Sequence, residues 1–484
     1  ETLKPTPALV AQGEYLTRVG NCMACHTAPK GQPYAGGLAV PSPFGVIYST
    51  NITPDKETGI GNYTLDEFRA VLIDGVRKDG AHLYPAMPYP SYRKMSEPDV
   101  RALYAYLMND VKPVHAAAPV TALEFPFNQR WGIRAWDWVA LPKAGFEPHM
   151  GDARLDRGAY LVEGLAHCGS CHTPRNRLTF AEKGYDARSG DFLTGAVLNG
   201  WPAPDLRAKD SDAQRWSAAQ LAALLATGRS DTTGVAGEMA TAVEHSLQYL
   251  PKDDLDAVVG YLQAIRQDRA VAGQTAPRAN AVATTATLNG ASPQIDLGAR
   301  LYLDNCSACH FTNGKGAKAV FPQLDGNALV TAQDAGGLIA VILNGAAIPS
   351  TQLRPARLAM PDFGWRLKDD EVAALATFVR QSWSNDAPAV TGTDNHQLTF
   401  TWAAAPATTP AVTSYSLALW SAPTGGTYLG GCVLAGTTCT LTGLANGTHY
   451  YAEVVATNAV GSSLPSPRTD AVPAPKAPTV TAAD

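Results

Sequence analysis

Three pentapeptides decide the reading of this chain: Cys22-Met-Ala-Cys25-His26, Cys168-Gly-Ser-Cys171-His172 and Cys306-Ser-Ala-Cys309-His310. Two thiols three positions apart can add across the vinyl groups on one side of a haem. The histidine that follows turns back beneath the iron and binds it. The expectation is three covalently bound c-type haems, attached through Cys22, Cys25, Cys168, Cys171, Cys306 and Cys309, with His26, His172 and His310 on iron. A structural zinc site pairs two Cys/His clusters to reach four ligands, and no second cluster follows any of the three. A thioredoxin-like dithiol uses a single Cys-x-x-Cys near a βαβ pattern, which fits neither the triplication nor the histidines.

Around these motifs runs an internal repeat of roughly 140 residues. Each copy opens on a short helix leading into the motif: Gly13-Glu-Tyr-Leu16, Gly158-Ala-Tyr-Leu161 and Gly298-Ala-Arg-Leu301. Each closes on an amphipathic helix. Val100, Leu103, Tyr104, Leu107, Met108 and Val111 share one face; so do Leu255, Val258, Val259 and Leu262, and Val372, Leu375, Ala376, Val379 and Trp383. Asp99, Asp253, Asp254, Asp369 and Asp370 stand at the helix starts, where carboxylates favour the macrodipole. A small helical fold closed by its first and last helices is the cytochrome c architecture. The fold expected is mainly α, with three tandem cytochrome c domains at 1–115, 151–269 and 295–385. Residues 116–150 form an aromatic-rich joint, in which Trp131, Trp136 and Trp138 are expected to be buried between the first two units. Residues 270–294, rich in Ala, Thr, Pro and Gly, read as an extended connector.

The pattern changes after Ser384. Leu398, Phe400 and Trp402 alternate, as do Tyr415, Leu417 and Leu419, and Tyr451, Glu453 and Val455, with turn signals at Gly425-Gly426 and Asn446-Gly447. Short strands at this spacing indicate a C-terminal β-sandwich over 388–475, followed by a tail at 476–484. The stretch Leu441-Thr-Gly-Leu444-Ala-Asn-Gly447-Thr-His-Tyr450, then Ala456-Thr-Asn458-Ala-Val-Gly461, resembles a fibronectin type III domain. Residues 395–452 carry no Lys, Arg, Asp or Glu, yet Gly, Pro, Thr and Ser interrupt them throughout, so they are no membrane span.

The chain has 484 residues, of which 17% are charged, and a net charge of −5. That balance lacks the basic excess of a nucleic-acid binder. It begins at Glu1 without a basic-then-apolar leader, so the expectation is a processed, periplasmic protein, because bacterial c-type haem is attached outside the cytoplasm. Cys432 and Cys439 remain once the motifs have taken six cysteines. In an oxidising compartment they are expected to form a disulfide worth roughly 2–3 kcal/mol.

Methionine sulfur on the far side of the iron favours the reduced state and closes the site. Met239 is the one methionine after the second motif within its unit, and Met360 the one after the third. In the first unit Met108 lies on an apolar helix face, and Met95 precedes a Ser96 cap as half of a hydrophobic staple with Val100. That leaves Met87, whose Ala86-Met87-Pro88 matches Ala359-Met360-Pro361. His82 and His245 are the competing ligands. No dinucleotide fingerprint and no nucleophile–base constellation is present. Closed irons without a substrate pocket mean electron transfer.

The first unit also carries Ser49-Thr-Asn51-Ile-Thr-Pro-Asp55-Lys-Glu-Thr-Gly-Ile-Gly61 and Asp79-Gly-Ala-His-Leu-Tyr-Pro-Ala-Met87-Pro-Tyr-Pro-Ser-Tyr92. Residues 1 to about 385 resemble the triheme cytochrome c subunit of bacterial membrane-associated dehydrogenases. The resemblance implies a separate catalytic subunit, of quinoprotein, flavoprotein or molybdenum type, that passes electrons to this chain. They continue to ubiquinone or another acceptor, with peripheral contact at the inner membrane. The family's axial positions fall on the His/Met pairs above. Relatives commonly end in a short membrane-docking tail where this chain has a sandwich, so no quinone-site residue is carried over. A free-standing multihaem carrier and a peroxidase-type haem enzyme are the alternative classes.

Overall fold

Three pairs of helices cross at glycine. Pro7–Val19 packs on Glu97–Asn109, Ala153–Tyr160 on Lys252–Ala264, and Leu297–Asn305 on Asp369–Gln381. The three-dimensional structure is a computed structural model. It describes residues 3–472 except 43–44, 122, 124, 126, 199–200, 272–280, 291, 293, 391–396, 406–409, 443 and 445–447. A Cβ on Gly13 would stand 2.0 Å from the Ala102 carbonyl oxygen, on Gly158 2.1 Å from that of Ala257, and on Gly298 2.4 Å from that of Ala374. Only a residue without a side chain allows the backbones to approach so closely. The helices start where their caps require. The Thr6 hydroxyl accepts from the Leu9 N–H ahead of Pro7, and the Ser96 hydroxyl accepts from the Asp99 N–H, with Met95 and Val100 both buried beside it.

The first two units share one hydrophobic core, running from Leu16 and Val19 through Leu103 and Leu107 to Leu161, Leu165, Tyr261 and Leu262. The third has its own, built on Leu301, Tyr302, Ile339, Leu375 and Trp383. Polar bonds cross the first seam. Lys94 Nζ lies 2.9 Å from Glu163 Oε2, both side chains buried, and Tyr261 donates to the same carboxylate. The helix-start carboxylates act here as well as on the macrodipole. Asp254 accepts from Tyr15 of the first unit and from Arg157 of the second, and Asp99 accepts from Tyr160. The second seam is held by Arg357 on Glu244, by Lys318 on Asp231 at 2.9 Å, and by Pro202 against Gly337.

The structure corrects the sequence expectation at three joints. Residues Trp131–Ala140 form a helix whose inner face is Ile133, Trp136 and Asp137, while Trp131 and Trp138 are 74% and 78% exposed. The period of 3.6 explains this: seven residues apart, Trp131 and Trp138 share a face, and Trp136 lies on the opposite one. The 270–294 connector is not extended throughout, since Ala281–Gly290 is a helix held to the third core by buried Leu288. Thr284 Oγ1 there accepts from the Trp383 N–H at 3.0 Å. Residues 385–390 belong with the third unit: Asn385 Nδ2 donates to the Leu324 and Val379 carbonyls, and the Val390 N–H donates to Thr377 Oγ1. Trp383 lies beyond the closing helix, at φ 56°, fully buried with its Nε1–H on the Thr312 carbonyl.

The C-terminal domain pairs a four-stranded antiparallel sheet with a two-stranded one. In the larger, Tyr450–Thr457 lies between Thr469–Ala471 and Ser414–Trp420, and Tyr428–Leu434 is the edge; in the smaller, Gln397–Thr401 pairs with Thr438–Thr442. Tyr415, Leu417 and Leu419 alternate inward, as the sequence pattern requires. The Cys432–Cys439 disulfide is present and ties the edge strand of one sheet to a strand of the other. Asn446-Gly447 and the 476–484 tail lie outside the described residues. Among the described residues no helix is long and apolar enough to cross a membrane.

Candidate haem-binding centres

Each pentapeptide coils into a single helical turn: Cys22–Cys25, Gly169–His172 and Ser307–His310. Non-glycine residues at positive φ, Asn21 at 54° and His167 at 40°, turn the chain into the first two. The three histidines then do the same thing with different partners. His26 Nδ1 lies 2.6 Å from the Thr50 carbonyl, His172 Nδ1 2.9 Å from that of Pro204, and His310 Nδ1 2.8 Å from that of Pro322. A carbonyl can only accept, so each Nδ1 carries the proton and each Nε2 is left as a lone-pair donor for iron. Burial lowers the pKa of all three imidazoles, which keeps that lone pair available.

The first anchor explains much of the long motif at 49–61. Asn51 donates to Thr58 Oγ1 and to the Val114 and Ala116 carbonyls and accepts from Thr53, while Asp55 accepts from Thr58. Gly59 and Gly61 press on the Thr53 and Pro54 carbonyls, where a Cβ would meet oxygen at 2.2 and 2.3 Å. The loop is thereby fixed, and with it the Thr50 carbonyl beneath His26.

A cavity of about 1870 Å³ runs through the chain, and its wall includes Cys25, Cys168, Cys171, His172, Met239, Cys306, Cys309, His310 and Met360. Sites for ordinary small molecules enclose roughly 300–1,000 Å³. This space suits several large flat groups, and the anchored imidazoles of His172 and His310 on its wall would suit haem iron as nitrogen ligands. Burial, with the neighbouring cysteine second, pushes the thiols of Cys22, Cys168 and Cys306 up to about 12. Among the described residues no three His, Cys, Asp or Glu side chains gather into a metal cage.

Met239 is carried by the helix Gly237–His245, which packs on the Cys22–Cys25 turn and on the Ala346–Ala347 strand of the third unit. Met360 sits in the short strand paired with Ala346. Cys22, His26 and Met87 are not on the cavity wall, although Cys25, Ala86 and Pro88 are; Met87 packs half-buried against the shared core. His82 is held at Nδ1 by Asp137 at 2.6 Å, and His245 ends the Met239 helix. Sequence reasoning missed the anchoring carbonyls. They lie 24, 32 and 12 residues beyond their histidines, so no fixed spacing announces them. It also missed Glu182, a buried carboxyl against the second motif whose Oε1 accepts from Ser170 Oγ at 3.3 Å and whose Oε2 has no partner.

Helical crossings around Cys-x-x-Cys-His turns with anchored histidines define a c-type cytochrome, and a cytochrome c family model matches residues 295–383. A fibronectin type III model matches residues 386–472. The chain is 42% identical over 389 residues to the cytochrome c subunit of a quinone alcohol dehydrogenase from Gluconobacter oxydans, covering 79% of this chain and 80% of that one. It is 44% identical to the gluconate 2-dehydrogenase cytochrome c subunit of Pantoea cypripedii, at 79% and 87% coverage. It is 40% identical to the fructose dehydrogenase cytochrome subunit of Gluconobacter japonicus, at 79% and 82%. The chain belongs to the family of electron-transferring cytochrome c subunits of dehydrogenase complexes, with a fibronectin type III domain at its C-terminal end.

Proposed function

We propose that this chain is a three-haem electron relay serving a catalytic dehydrogenase subunit in the periplasm. One cytochrome c domain surrounds each Cys-x-x-Cys-His motif, and the relay delivers electrons to ubiquinone or another acceptor at the inner membrane. The observation that carries the reading is the threefold recurrence of one local design, an imidazole whose Nδ1 is held by a backbone carbonyl. It is reinforced by the threefold recurrence of the glycine crossing. Haem iron, when bound, supplies one-electron chemistry at each centre.

The chain's residues do the rest. Cys22, Cys25, Cys168, Cys171, Cys306 and Cys309 tether the three groups, and His26, His172 and His310 present Nε2 to the irons. Met239 and Met360 offer sulfur from the cavity wall, and Met87 does so from the loop that matches the Met360 loop. The second unit touches both others, through the shared core and through the Met239 helix, so it is the middle station of the relay. The substrate is oxidised on the partner. The test is isolation of the native complex: a large catalytic polypeptide should copurify, and its substrate should reduce three haems per chain. A chain that purifies alone and is reduced by no dehydrogenase, or one with an iron that turns over peroxide, would overturn the reading.

A further inference from the structure

One short loop of the second unit, residues 228–235, holds two separate pieces of the third. The first piece carries the anchor of His310. The Pro322–Gln323 peptide offers its carbonyl to His310 Nδ1 at 2.8 Å, and its N–H donates across the seam to the Thr232 carbonyl, also at 2.8 Å. A peptide unit is planar, so holding its N–H fixes the direction of its C=O. Beside it the Ala319 N–H donates to the Asp231 carbonyl at 3.2 Å. The second piece leads to Met360. Ala346 and Ala347 pair with Met360 and Ala359, and the Ile348 N–H donates to the Leu358 carbonyl at 2.8 Å, closing residues 346–360 into a hairpin. Arg229 donates to the Ala356 carbonyl of that hairpin at 2.6 Å. Ile348 and Pro349 press on Gly234 and Gly228, where a Cβ would meet them at 2.7 and 2.3 Å. Arg229 is only 5% exposed, and burial together with Arg354 works against its charge. Burying a guanidinium without a carboxylate partner costs stability, so its place calls for a reason other than the strength of the fold.

We propose, resting on the reading of His310 and Met360 as ligands of the third iron, that residues 228–235 are the outer support of that centre. Arg229 is its positioning residue for Met360. Groups standing behind a metal ligand fix its direction and tune the metal. Here those groups belong to the neighbouring unit: Thr232 stands behind the His310 anchor, and Arg229 behind the Met360 hairpin. The third unit has its own core, so what the second supplies is alignment of the ligands, and with it the potential. The loop then runs into Gly237–His245, the helix that carries Met239. One segment thus ties together the methionine supports of two adjacent stations.

The test is a redox titration of the haem-loaded full chain, read together with the long-wavelength sulfur-to-iron band. Met360→Ala and Met239→Ala mark which potential belongs to which centre. Arg229→Met removes the donor and keeps an unbranched stem. It should lower the potential that Met360→Ala marks, weaken that centre's part of the band and let carbon monoxide bind there. Arg229→Lys should restore most of the wild-type potential, because an ammonium on a stem of similar length still donates to the carbonyl. Gly234→Val, which presses a side chain on Ile348, should move the same potential and carries the test if Arg229→Met fails to fold. Arg188→Met, at an exposed arginine of the second unit that pairs with Asp186, should leave all three potentials unchanged. Wild-type potentials in both Arg229→Met and Gly234→Val overturn the proposal and leave the ligand assignments standing. A shift at the Met239 centre alone, or an equal shift of all three, does the same. If Met360→Ala itself alters no centre, the ligand reading fails and the proposal falls with it.

Discussion

Gly158 lies so close to Ala257 that a Cβ there would stand 2.1 Å from the Ala257 carbonyl oxygen and 2.7 Å from the Tyr261 Cβ. Backbone cannot swing aside as a side chain can, so Gly158→Ala should destabilise the protein by roughly 1–3 kcal/mol, towards the upper end. Gly132→Ala is the contrast: nothing lies within 4 Å of its Cβ position, and it sits inside a helix. It should stabilise by about 0.5–1 kcal/mol. Thermal melts of the two variants should move in opposite directions.

Haem stoichiometry should be three per chain. Denatured protein should keep its colour, and an alkaline pyridine assay should return three equivalents; two or four would contradict the tethering residues named above.

Replacing a thioether ligand by alanine removes the bond that favours ferrous iron. Met239→Ala and Met360→Ala should therefore each lower one of three midpoint potentials, weaken the long-wavelength sulfur-to-iron band and open one iron to carbon monoxide. Met87→Ala should do the same for the first centre. If all three centres survive that change unaltered, Asp137→Asn, which frees His82, becomes the informative variant.

Burial raises the Glu182 carboxyl to about 7, against smaller opposing effects of Arg175 and Ser170. An unfolded glutamate titrates near 4.3, so between about pH 4.3 and 7 the folded chain binds the extra proton. Its contribution to stability is greatest at the acid end of that window and is lost as pH rises through about 7. At roughly 1.4 kcal/mol per pH unit across that window, the loss is at most about 4 kcal/mol. Glu182→Gln should flatten this slope and leave the protein more stable than wild type at neutral pH, measured by urea unfolding at several pH values. An unchanged slope would show that the carboxylate is already compensated.

Truncation should respect the strap at 385–390. A chain ending after Val390 should retain three haems and unchanged potentials, because the haem motifs and the candidate methionines all precede it. A chain ending after Ser384 loses the Asn385 and Val390 bonds to the third unit and should melt earlier.

The helical layout was legible because its determinants are local. Apolar spacing and caps mark the closing helices, and the pentapeptides mark their own helical turns within a residue or two. The sandwich strands were legible for the same reason, through alternation at Tyr415, Leu417 and Leu419. What resisted reading depends on pairs distant in sequence. The inner and outer faces of Trp131–Ala140 are chosen by Asp137 meeting His82 and Tyr89, and tryptophan content alone does not say which indole faces in. The carbonyls of Thr50, Pro204 and Pro322 carry no side-chain signature, since any residue can offer one. Leu288, buried beneath the third unit, sits in a stretch whose composition otherwise reads as a connector.

The common core of the first two units limits how such a chain can be rearranged by recombination. Leu165 reaches to 3.0 Å from where a Cβ on Gly20 would be, and Ser246 donates across to the Val19 carbonyl. A gene exchange that cuts between the first and second motifs would put foreign surfaces on both sides of that seam. One that cuts after the second would replace only an interface. By packing, the chain is a pair and a single, not three equal beads, and grafts that trade the third unit between relatives should be tolerated where trades of the first are not.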